Sequence, residues 1–473
     1  MTIDSTHPSL ARLADKSICL VGLAREGLAT YHFLRTQFPT LRLGLADQSP
    51  LEKLAPQWQA IRAQDQNLSW HLDSQFEKLV GKYSILFLTP GIPTTQPVVA
   101  AALAQGAELH SNTQLFFELC PCQTIGVTGT KGKSTTTSLI HHVLSSAGLP
   151  AVLLGNIGIP PLSALDQLTP ESLAVVELSC HQLQHLTLSP HIAVIQDITR
   201  EHLDYYPTIE AYVAAKAGIT THQAATDFVL FDPSKDKPCE LAAQSKAQPL
   251  RFCSDSHHSG QDHTNCEVWL ETSELIWHGE RILTTAEIPL PGSHNIANVL
   301  PSIIIGKHYG LTNQQIADAI KSFRGLPQRL ELVATVDQVQ FYNDSLATEP
   351  NATISAIRAF ADRPVILLAG GHERKQDYQE LAAIIATSSV KALLLFPTTG
   401  QRLGELVSAE LNQNPRSFII KQVNSMEEAM EYAKQLAQAG DVVLLSPAAA
   451  SFGMFKDYQE RGEKFTVQAL RRE

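Results

Sequence analysis

The chain has 473 residues, of which 44% are hydrophobic and 18% are charged, and its formal net charge is -11. A chain of this length exceeds the size of one hydrophobic core, so we expect three domains. The acidic balance argues against a general nucleic-acid-binding or anionic-membrane-binding protein, although it allows a local basic pocket for phosphate groups. We therefore expect no nucleic-acid partner and no membrane partner.

The seven cysteines are scattered and include no CxxC pair. This pattern fits neither a disulfide framework nor a zinc site, and we expect all seven thiols to be reduced. The polar N-terminal sequence lacks the basic and apolar segments of a signal peptide, and no stretch approaches the roughly 18 apolar residues of a membrane span. The sequence therefore predicts a soluble, cytoplasmic protein.

The predicted elements of residues 1–120 form a Rossmann-like domain. A strand (SICLVGL) runs into a glycine turn, a helix (LATYHFLRTQ) follows, and a second strand (LRLGLAD) ends at Asp47. This order of strand, helix and strand opens a nucleotide-binding βαβ unit. A later strand (ILFL) leads into the segment TPGIP. We place the end of this domain at residue 120.

Residues 121–324 are predicted to form a central parallel-sheet domain. The strand TIGV enters the segment TGTKGKSTTT, and a helix (SLIHHVLSSAG) follows. Three further strands (AVLLG, LAVVEL and IAVIQDI) have the spacing of a parallel sheet with crossover helices. Polar sequence at 232–265 predicts an irregular interruption, and GSHNIANVLPSIIIGKHYG predicts a helix that returns to the domain.

The remaining residues, 325–473, alternate strands with helices. VQFYND, PVILLAGG, ALLLFP and DVVLLS are predicted strands, and TISAIRAF and SMEEAMEYAKQLAQAG are predicted helices. This alternation predicts a smaller, doubly wound domain. The fold class is therefore α/β, with a Rossmann-like N-terminal domain, a central P-loop-type ATPase domain and a C-terminal doubly wound domain.

The segment from Thr128 to Thr135 carries the strongest chemical signal. It follows a strand and opens a helix, so backbone N–H groups and the helix N-terminus can bind phosphates. Lys133 would reach the terminal phosphates, and Ser134 would face Mg²⁺. The strict pattern has glycine where Val127 stands, and the alternative is a glycine-rich turn before a surface helix. We favour a nucleoside triphosphate site.

Other candidate residues are ambiguous when each is taken alone. Glu177 ends a predicted buried strand and His202 follows another, so both lie where α/β sheets place their sites. A helix-capping carboxylate and a satisfied loop histidine are the alternatives. Lys216 lies in a predicted helix, where an ordinary lysine is a solvated surface residue. The loosened glycine turn GLAREG at 22–27 would by itself suggest a dinucleotide site.

Ordered motifs along nearly the whole chain resemble the Mur ligases and their relative, folylpolyglutamate synthase. The motifs that follow the phosphate loop are GNIG (155–158), ELS (177–179), EHLD (201–204), AAK (214–216), HNIAN (294–298), GLPQR (325–329), NDS (343–345) and SPA (446–448). The final run SPAAASFGMFKDYQERGEKF and the TPGIP loop look most like the glutamate-adding members. The sequence is therefore identified as a member of this family.

This resemblance implies an activity and its cofactors. The protein would add D-glutamate to UDP-N-acetylmuramoyl-L-alanine in cytoplasmic peptidoglycan precursor synthesis, and we expect a monomer. ATP would convert the carboxylate into an acyl phosphate that the amine attacks, with ADP and phosphate as products. ATP and Mg²⁺ are the implied cofactors, and Lys216 aligns with the lysine that carries a carbamate in these ligases.

The resemblance also assigns site residues by their positions in the motifs. The implied catalytic residues are Lys133, Glu177, His202 and Lys216, and the implied metal-binding residues are Ser134, Glu177, His202 and Lys216. The implied ATP-binding residues are Gly129, Thr130, Lys131, Gly132, Lys133, Ser134, Thr135, Asn295, Arg329 and Asp344. The implied UDP-substrate residues are Gly22, Leu23, Ala24, Arg25, Asp47, Thr89, Gly91 and Asn156. The implied glutamate-binding residues are Thr348, Arg374, Lys375, Ser451 and Tyr458.

Departures from the family pattern bear on the glutamate isomer. Leu346 stands where the glutamate-adding members often have lysine, and Gln328 replaces a common histidine. Cys180 and His181 replace a common Ser-Phe pair. Arg374 can make a bidentate contact with a carboxylate and so replace the lost cation. A divergent subgroup adds L-glutamate, and both isomers stay open at this point.

Three other functions compete with this one. A neighbouring ligase of Mur type or folylpolyglutamate type is disfavoured by the C-terminal run and by the first domain. A nucleotide-binding regulator or ATPase would leave Glu177, Lys216 and Arg329 without a reason to occur together. A Rossmann oxidoreductase is disfavoured because its glycine turn is degenerate and a phosphate loop follows.

Overall fold

The computed structural model describes residues 6–201, 205–255 and 265–471. In these ranges the chain forms three sheets of mainly parallel strands with helices between them, which confirms the α/β class. Two compact units are present, Met1–Thr285 with Ile296–Ile320, and Ala286–Asn295 with Lys321–Glu473. No helix in the described ranges combines the length and the apolar character needed to cross a membrane.

The first sheet has five parallel strands. They are β1 (Ile18–Val21), β2 (Leu43–Asp47), β3 (Leu68–Leu72), β4 (Ile85–Leu88) and β5 (Glu108–His110), in the order β3-β2-β1-β4-β5. The helices of this part are α1 (Pro8–Ala14), α2 (Arg25–Gln37), α3 (Pro56–Gln64), α4 (Pro97–Ala104) and α5 (Asn112–Leu119). The strand order reverses between β1 and β4, and ligands of such sheets bind in the crevice at that point.

The second sheet has nine strands. They are β6 (Gln123–Thr128), β7 (Ala151–Gly155), β8 (Leu173–Glu177), β9 (Ile192–Ile195), β10 (Phe228–Phe231), β11 (Gln248–Cys253), β12 (Val268–Glu271), β13 (Glu274–Trp277) and β14 (Glu280–Thr284). Their order is β14-β13-β12-β11-β10-β9-β6-β8-β7, with β12, β13 and β14 paired antiparallel and the rest parallel. The helices that follow these strands are α6 (Lys133–Ser146), α7 (Cys180–Leu183), α8 (Ile209–Lys216), α9 (Asp236–Ala242), α10 (Asn295–His308) and α11 (Asn313–Ser322).

One hydrophobic cluster joins the first two sheets. It includes Leu20 and Phe87 of the first sheet and Val176 and Ile195 of the second. Every residue of β8 and β9 is buried, as expected for parallel strands that are covered on both faces. This burial explains why the predicted central strands read as continuous apolar runs.

The predicted irregular interruption at 232–265 is wrong in its described part. It contains α9 and β11, and the strands β12, β13 and β14 that follow were not predicted. These three strands have four or five residues each and are only partly buried, so their apolar pattern is weak.

The expectation that all seven thiols are reduced is wrong for two of them. Cys253 and Cys266 form a disulfide with Cα atoms 6.3 Å apart. Cys253 ends β11 and pairs with Trp269 of the parallel strand β12. Cys266, which lies just before β12, is therefore close to Cys253. Parallel pairing of consecutive strands thus brings these two cysteines together, although their sequence spacing gave no sign of a disulfide.

The third sheet has six strands. They are β15 (Glu331–Val336), β16 (Val339–Asn343), β17 (Val365–Gly370), β18 (Val390–Phe396), β19 (Ile419–Gln422) and β20 (Val442–Leu445), in the order β15-β16-β20-β17-β18-β19. The helices are α12 (Pro350–Arg358), α13 (Gln379–Thr387), α14 (Thr399–Gln413), α15 (Met426–Leu436) and α16 (Tyr458–Leu470). Only β15 pairs antiparallel. Leu367 and Leu444 pack on one face, and Ile366 and Val443 pack on the other, so helices cover both faces.

Candidate active site

The loop between β6 and α6 has the backbone of a phosphate-binding turn. Gly129 and Gly132 have φ angles of 152° and 81°, which side-chain-bearing residues rarely adopt. A Cβ atom on Gly132 would lie 2.2 Å from Oδ1 of Asn298, and one on Gly129 would lie 2.6 Å from Cβ of Gln196. Helix α6 begins directly after Gly132, so its first N–H groups face the loop.

Two lysine side chains converge on carbonyl groups of this loop. Nζ of Lys133 donates to the carbonyl of Thr130 at 2.8 Å, and Nζ of Lys216 donates to the carbonyl of Gly129 at 2.9 Å. Lys216 is only 1% exposed. Burial, and after it the nearby charge of Lys133, lower the pKa of Lys216 to about 7. A substantial fraction of Lys216 is therefore a neutral amine near pH 7.

Sequence reasoning missed three residues that shape this loop. Tyr212 places its hydroxyl 3.3 Å from Oγ1 of Thr130, and its ring centroid lies 4.6 Å from Nζ of Lys216. Its position four residues before Lys216 in a predicted helix was the available signal. Asn298 lies in the HNIAN motif, and Gln196 directly follows β9, but neither position alone pointed to the loop.

Glu177 is a buried carboxylate at the end of β8. Its side chain is 1% exposed, and its Oε1 accepts a hydrogen bond from Nδ2 of Asn156 at 2.9 Å. Its Oε2 is buried and has no hydrogen-bond partner within the described residues. Such an oxygen is costly unless a cation or donor binds it, so Glu177 fits a metal ligand.

The predicted metal set is only partly described. His202 lies outside the described residues. Within those residues no three His, Cys, Asp or Glu side chains group together as a metal site. The unpartnered oxygen of Glu177 and the neutral amine of Lys216 nevertheless fit a divalent cation, the amine through conversion to a carbamate.

The implied UDP-substrate residues of the first sheet lie at its switch point. Gly22, Leu23, Ala24 and Arg25 follow β1, Asp47 is the last residue of β2, and Thr89 and Gly91 follow β4. Gly22 has a φ angle of 93°, and a Cβ atom there would lie 2.0 Å from the Thr89 hydroxyl. Asp47 accepts hydrogen bonds from the backbone N–H groups of Leu23 at 2.9 Å and Ser49 at 2.8 Å. Asp47 therefore holds the turn in shape.

Two other implied UDP-substrate residues, Arg25 and Asn156, make hydrogen bonds at the second sheet. The guanidinium of Arg25 donates to the carbonyls of Gly155 and Asn156, both at 3.0 Å, and to that of Gly158 at 3.4 Å. The side chain of Asn156 donates to Glu177. These contacts involve the loop after β7, so the two residues connect the turn of the first sheet with Glu177.

The other implied ATP-binding residues belong to the second compact unit. Asp344 is buried and accepts hydrogen bonds from the Ser446 hydroxyl at 2.7 Å and the Leu330 N–H at 3.1 Å. Burial raises the pKa of Asp344 to about 7, although these donors and Arg329 oppose the shift. Nδ2 of Asn295 donates to the carbonyl of Pro291 at 2.8 Å.

The implied glutamate-binding residues all lie in the second compact unit. These residues are Thr348, Arg374, Lys375, Ser451 and Tyr458. Arg374 is exposed, and its guanidinium carbon lies 5.7 Å from the centroid of the Phe452 ring. A cation held over an aromatic face keeps its N–H edges available for a carboxylate. Sequence reasoning missed Phe452.

A buried arginine holds this region together. Arg461 is 0% exposed and donates to the hydroxyl and carbonyl of Ser345 at 3.0 and 2.8 Å, and to the carbonyl of Ala449 at 3.0 Å. Burial lowers its pKa to about 10. Sequence reasoning missed this role, although Arg461 lies in the quoted C-terminal run.

Two family models match the chain. The Mur ligase middle domain matches residues 127–306, and the Mur ligase glutamate ligase domain matches residues 328–449. Together they cover more than half of the sequence. The first match contains the phosphate loop and Glu177, and the second contains Asp344 and Arg374.

Full-length relatives agree with these matches. The chain is 34% identical over 451 residues to a UDP-N-acetylmuramoylalanine–D-glutamate ligase from Acetivibrio thermocellus, with 94% of each chain covered. It is 33% identical over 470 residues to the enzyme of the same name from Streptococcus thermophilus, covering 98% of this chain and 99% of the relative. The chain belongs to the Mur ligase family.

A solved Mur ligase structure supports the fold alone. The UDP-N-acetylmuramate–alanine ligase from Thermotoga maritima has a TM-score of 0.57 at 16% identity, covering 96% of this chain and 99% of that one. As a Mur ligase, the chain is an ATP-dependent amino-acid ligase. The predicted family membership and enzyme class are therefore confirmed.

Proposed function

We propose that this Mur ligase adds D-glutamate to UDP-N-acetylmuramoyl-L-alanine in the cytoplasm, as a monomer with three domains at 1–120, 121–324 and 325–473. The names of the relatives at 33–34% identity support the substrates. The observation that carries the chemistry is the convergence of Lys133 and Lys216 on the carbonyls of the phosphate loop.

The residues of the loop supply the electrostatics of phosphoryl transfer. Lys133 and the first N–H groups of α6 would bind the terminal phosphates of ATP, because transfer to a carboxylate depends mainly on positioning and on charge neutralisation. Ser134, Glu177, His202 and Lys216 would hold Mg²⁺, which when bound neutralises the triphosphate. The acceptor carboxylate attacks the terminal phosphorus, ADP leaves, and the glutamate amine then displaces phosphate from the acyl phosphate.

Lys216 would contribute as a carbamate. The neutral amine attacks carbon dioxide and releases one proton, and the product is a carbamate anion, which resembles a carboxylate ligand. The lowered pKa of Lys216 favours this reaction, because only the unprotonated amine is nucleophilic.

L-Glutamate is the second candidate amino acid. Leu346 removes a cation that the glutamate-adding members often have, and Arg374 lies over Phe452 in the same compact unit. Arg374 would then supply the cation that Leu346 lacks, and an arginine holds a carboxylate differently from a lysine.

The proposal is tested by phosphate release with Mg·ATP and UDP-N-acetylmuramoyl-L-alanine. D-Glutamate, L-glutamate and no amino acid are compared. Release that depends on D-glutamate supports the proposal, and release that depends only on L-glutamate supports the second candidate. Release without dependence on either isomer contradicts both.

Lys133→Ala should lower phosphate release by a factor of roughly a thousand, since one charge-stabilising group at a transition state contributes on that order. The exposed lysine Lys246 provides the matched control, and Lys246→Ala should retain wild-type release. Comparable activity of Lys133→Ala and Lys246→Ala would rule out the assignment of the phosphate loop.

A further inference from the structure

The first turn of α2 carries two charged residues that reach from the first sheet's nucleotide turn to the second sheet. Arg25 and Glu26 directly follow Ala24 of that turn, and both have hydrogen-bond partners next to Glu177 in sequence or in space. Neither set of contacts could be seen in the sequence, because 130 to 156 residues separate the partners.

Arg25 acts on the loop before the metal carboxylate. One guanidinium binds three carbonyls of the segment Gly155–Gly158, and its rigid fork of donors fixes their directions. Within this segment, the N–H of Asn156 donates to the Glu177 carbonyl at 3.1 Å, and its side chain donates to Oε1 of Glu177 at 2.9 Å. Arg25 therefore orients Asn156, and Asn156 orients the Glu177 carboxylate.

Glu26 acts on the chain after the metal carboxylate. Its Oε1 accepts a hydrogen bond from Nε2 of Gln182 at 2.8 Å, while Oε1 of Gln182 accepts from the N–H of Ser179 at 2.9 Å. Ser179 and Gln182 form the capping box of α7, which begins three residues after Glu177. Glu26 thus fixes the turn that follows Glu177.

The two residues therefore hold the metal carboxylate from both sides. We infer that Arg25 and Glu26 are positioning residues that couple occupancy of the nucleotide turn by the UDP group to the metal affinity of Glu177. This inference rests on the proposed function for the identity of the UDP group. Coupling of this kind is reciprocal, so the metal must raise the affinity for the UDP group by the same factor.

Direct metal binding tests the inference without turnover. Mn²⁺ binding to the full chain with ADP is followed by electron paramagnetic resonance, with and without UDP. Wild-type protein should bind Mn²⁺ about fivefold more tightly when UDP is present, the lower end of typical coupling between sites. Arg25→Gln, and Glu26→Leu, which removes the acceptor for Gln182, should each lose this difference and bind Mn²⁺ about tenfold more weakly than wild type.

Two further variants separate positioning from folding. Arg62 is an exposed arginine of the same unit that lies over Trp70, so Arg62→Gln should bind Mn²⁺ as wild type does. Arg25→Lys keeps a donor without the fork and should restore part of the affinity. A coupling in Arg25→Gln and Glu26→Leu equal to that of wild type would overturn the inference, whereas a wild type that makes no glutamyl product would overturn only the proposed function.

Discussion

Lys216 is the residue whose environment departs most from what its sequence context indicates. A lone lysine in a helix is normally solvated, but this one is 1% exposed and lies against the face of Tyr212. Its amine donates to the carbonyl of Gly129 at 2.9 Å and to the hydroxyl of Thr128 at 3.4 Å. The charged form is therefore disfavoured in the folded protein. Carbamate formation needs the neutral form of the amine.

Stability should reveal this burial through its pH dependence. The folded-state pKa of Lys216 is about 7, below the ordinary lysine value of 10.5, so the unfolded chain binds more protons between these values. The cost of the buried charge is thus full below pH 7 and disappears as the pH rises toward 10.5, at no more than about 1.4 kcal/mol per pH unit. Lys216→Met should therefore stabilise the protein at pH 6.5 and lose this gain at pH 9.5.

Urea unfolding in buffer free of carbon dioxide measures this difference. The exposed Lys246 gives the control, and Lys246→Met should change stability equally at both pH values. A gain for Lys216→Met that does not vary with pH would contradict the buried ammonium.

Arg374 should select the acidic amino acid. Its guanidinium is held over Phe452 and can pair with a carboxylate, and a hydrogen bond to a charged group contributes about 1.5–3 kcal/mol. Arg374→Ala should raise the KM for glutamate by about tenfold or more while the KM for ATP changes little. Steady-state kinetics with Lys375→Ala as the comparison checks this, and a larger effect at Lys375 would transfer the role to that residue.

At the scale of elements, the loop after β7 depends on a close approach of backbones. Gly155 has a φ angle of 106°, and a Cβ atom there would lie 2.2 Å from the Glu177 carbonyl oxygen. Gly148, after α6, has a φ angle of 82° but nothing within 4 Å of its Cβ position. Both glycines have a positive φ angle, but only Gly155 has another atom close to its Cβ position.

Alanine substitutions separate these two effects. Gly148→Ala should cost about 1–2 kcal/mol through its left-handed backbone alone. Gly155→Ala should cost clearly more and should also lower ligase activity, because the new methyl group displaces Glu177. Chemical unfolding measures the stability of each variant, and phosphate release measures its activity. Equal losses in the two variants would show that the contact with Glu177 is unimportant.

The sequence predicted several strands that are buried on both faces, but it missed the largely buried strand β10. The predicted strand ILFL coincides with β4, and LAVVEL and IAVIQDI contain β8 and β9. It missed β15 and β19, which lie at the edges of the third sheet and are partly exposed. Edge strands lack the continuous apolar run of a buried parallel strand, so their sequences carry a weaker signal.

The candidate site also has a part that the sequence predicts and a part that it does not. The phosphate loop could be predicted because its residues are contiguous and its glycines are needed where they stand. The contacts of Arg25 with the loop after β7, and of Glu26 with Gln182, depend on how two sheets pack, which local sequence does not encode. The disulfide between Cys253 and Cys266 depends on strand pairing in the same manner.

At the scale of the whole molecule, the residues assigned to ATP are divided between the two compact units. The phosphate loop belongs to the first unit, and Arg329 and Asp344 belong to the second. Each unit has its own sheets and its own hydrophobic core. Because residues assigned to the reaction occur in both units, the full chain is used to test the activity.

The most direct test follows oxygen from the acceptor to phosphate. UDP-N-acetylmuramoyl-L-alanine labelled with heavy oxygen in its carboxylate is converted by the full chain with Mg·ATP and glutamate, and the inorganic phosphate is analysed by mass spectrometry. Activation of the carboxylate as an acyl phosphate predicts that one labelled oxygen appears in each phosphate released. Unlabelled phosphate with the label retained in the acceptor would contradict the account.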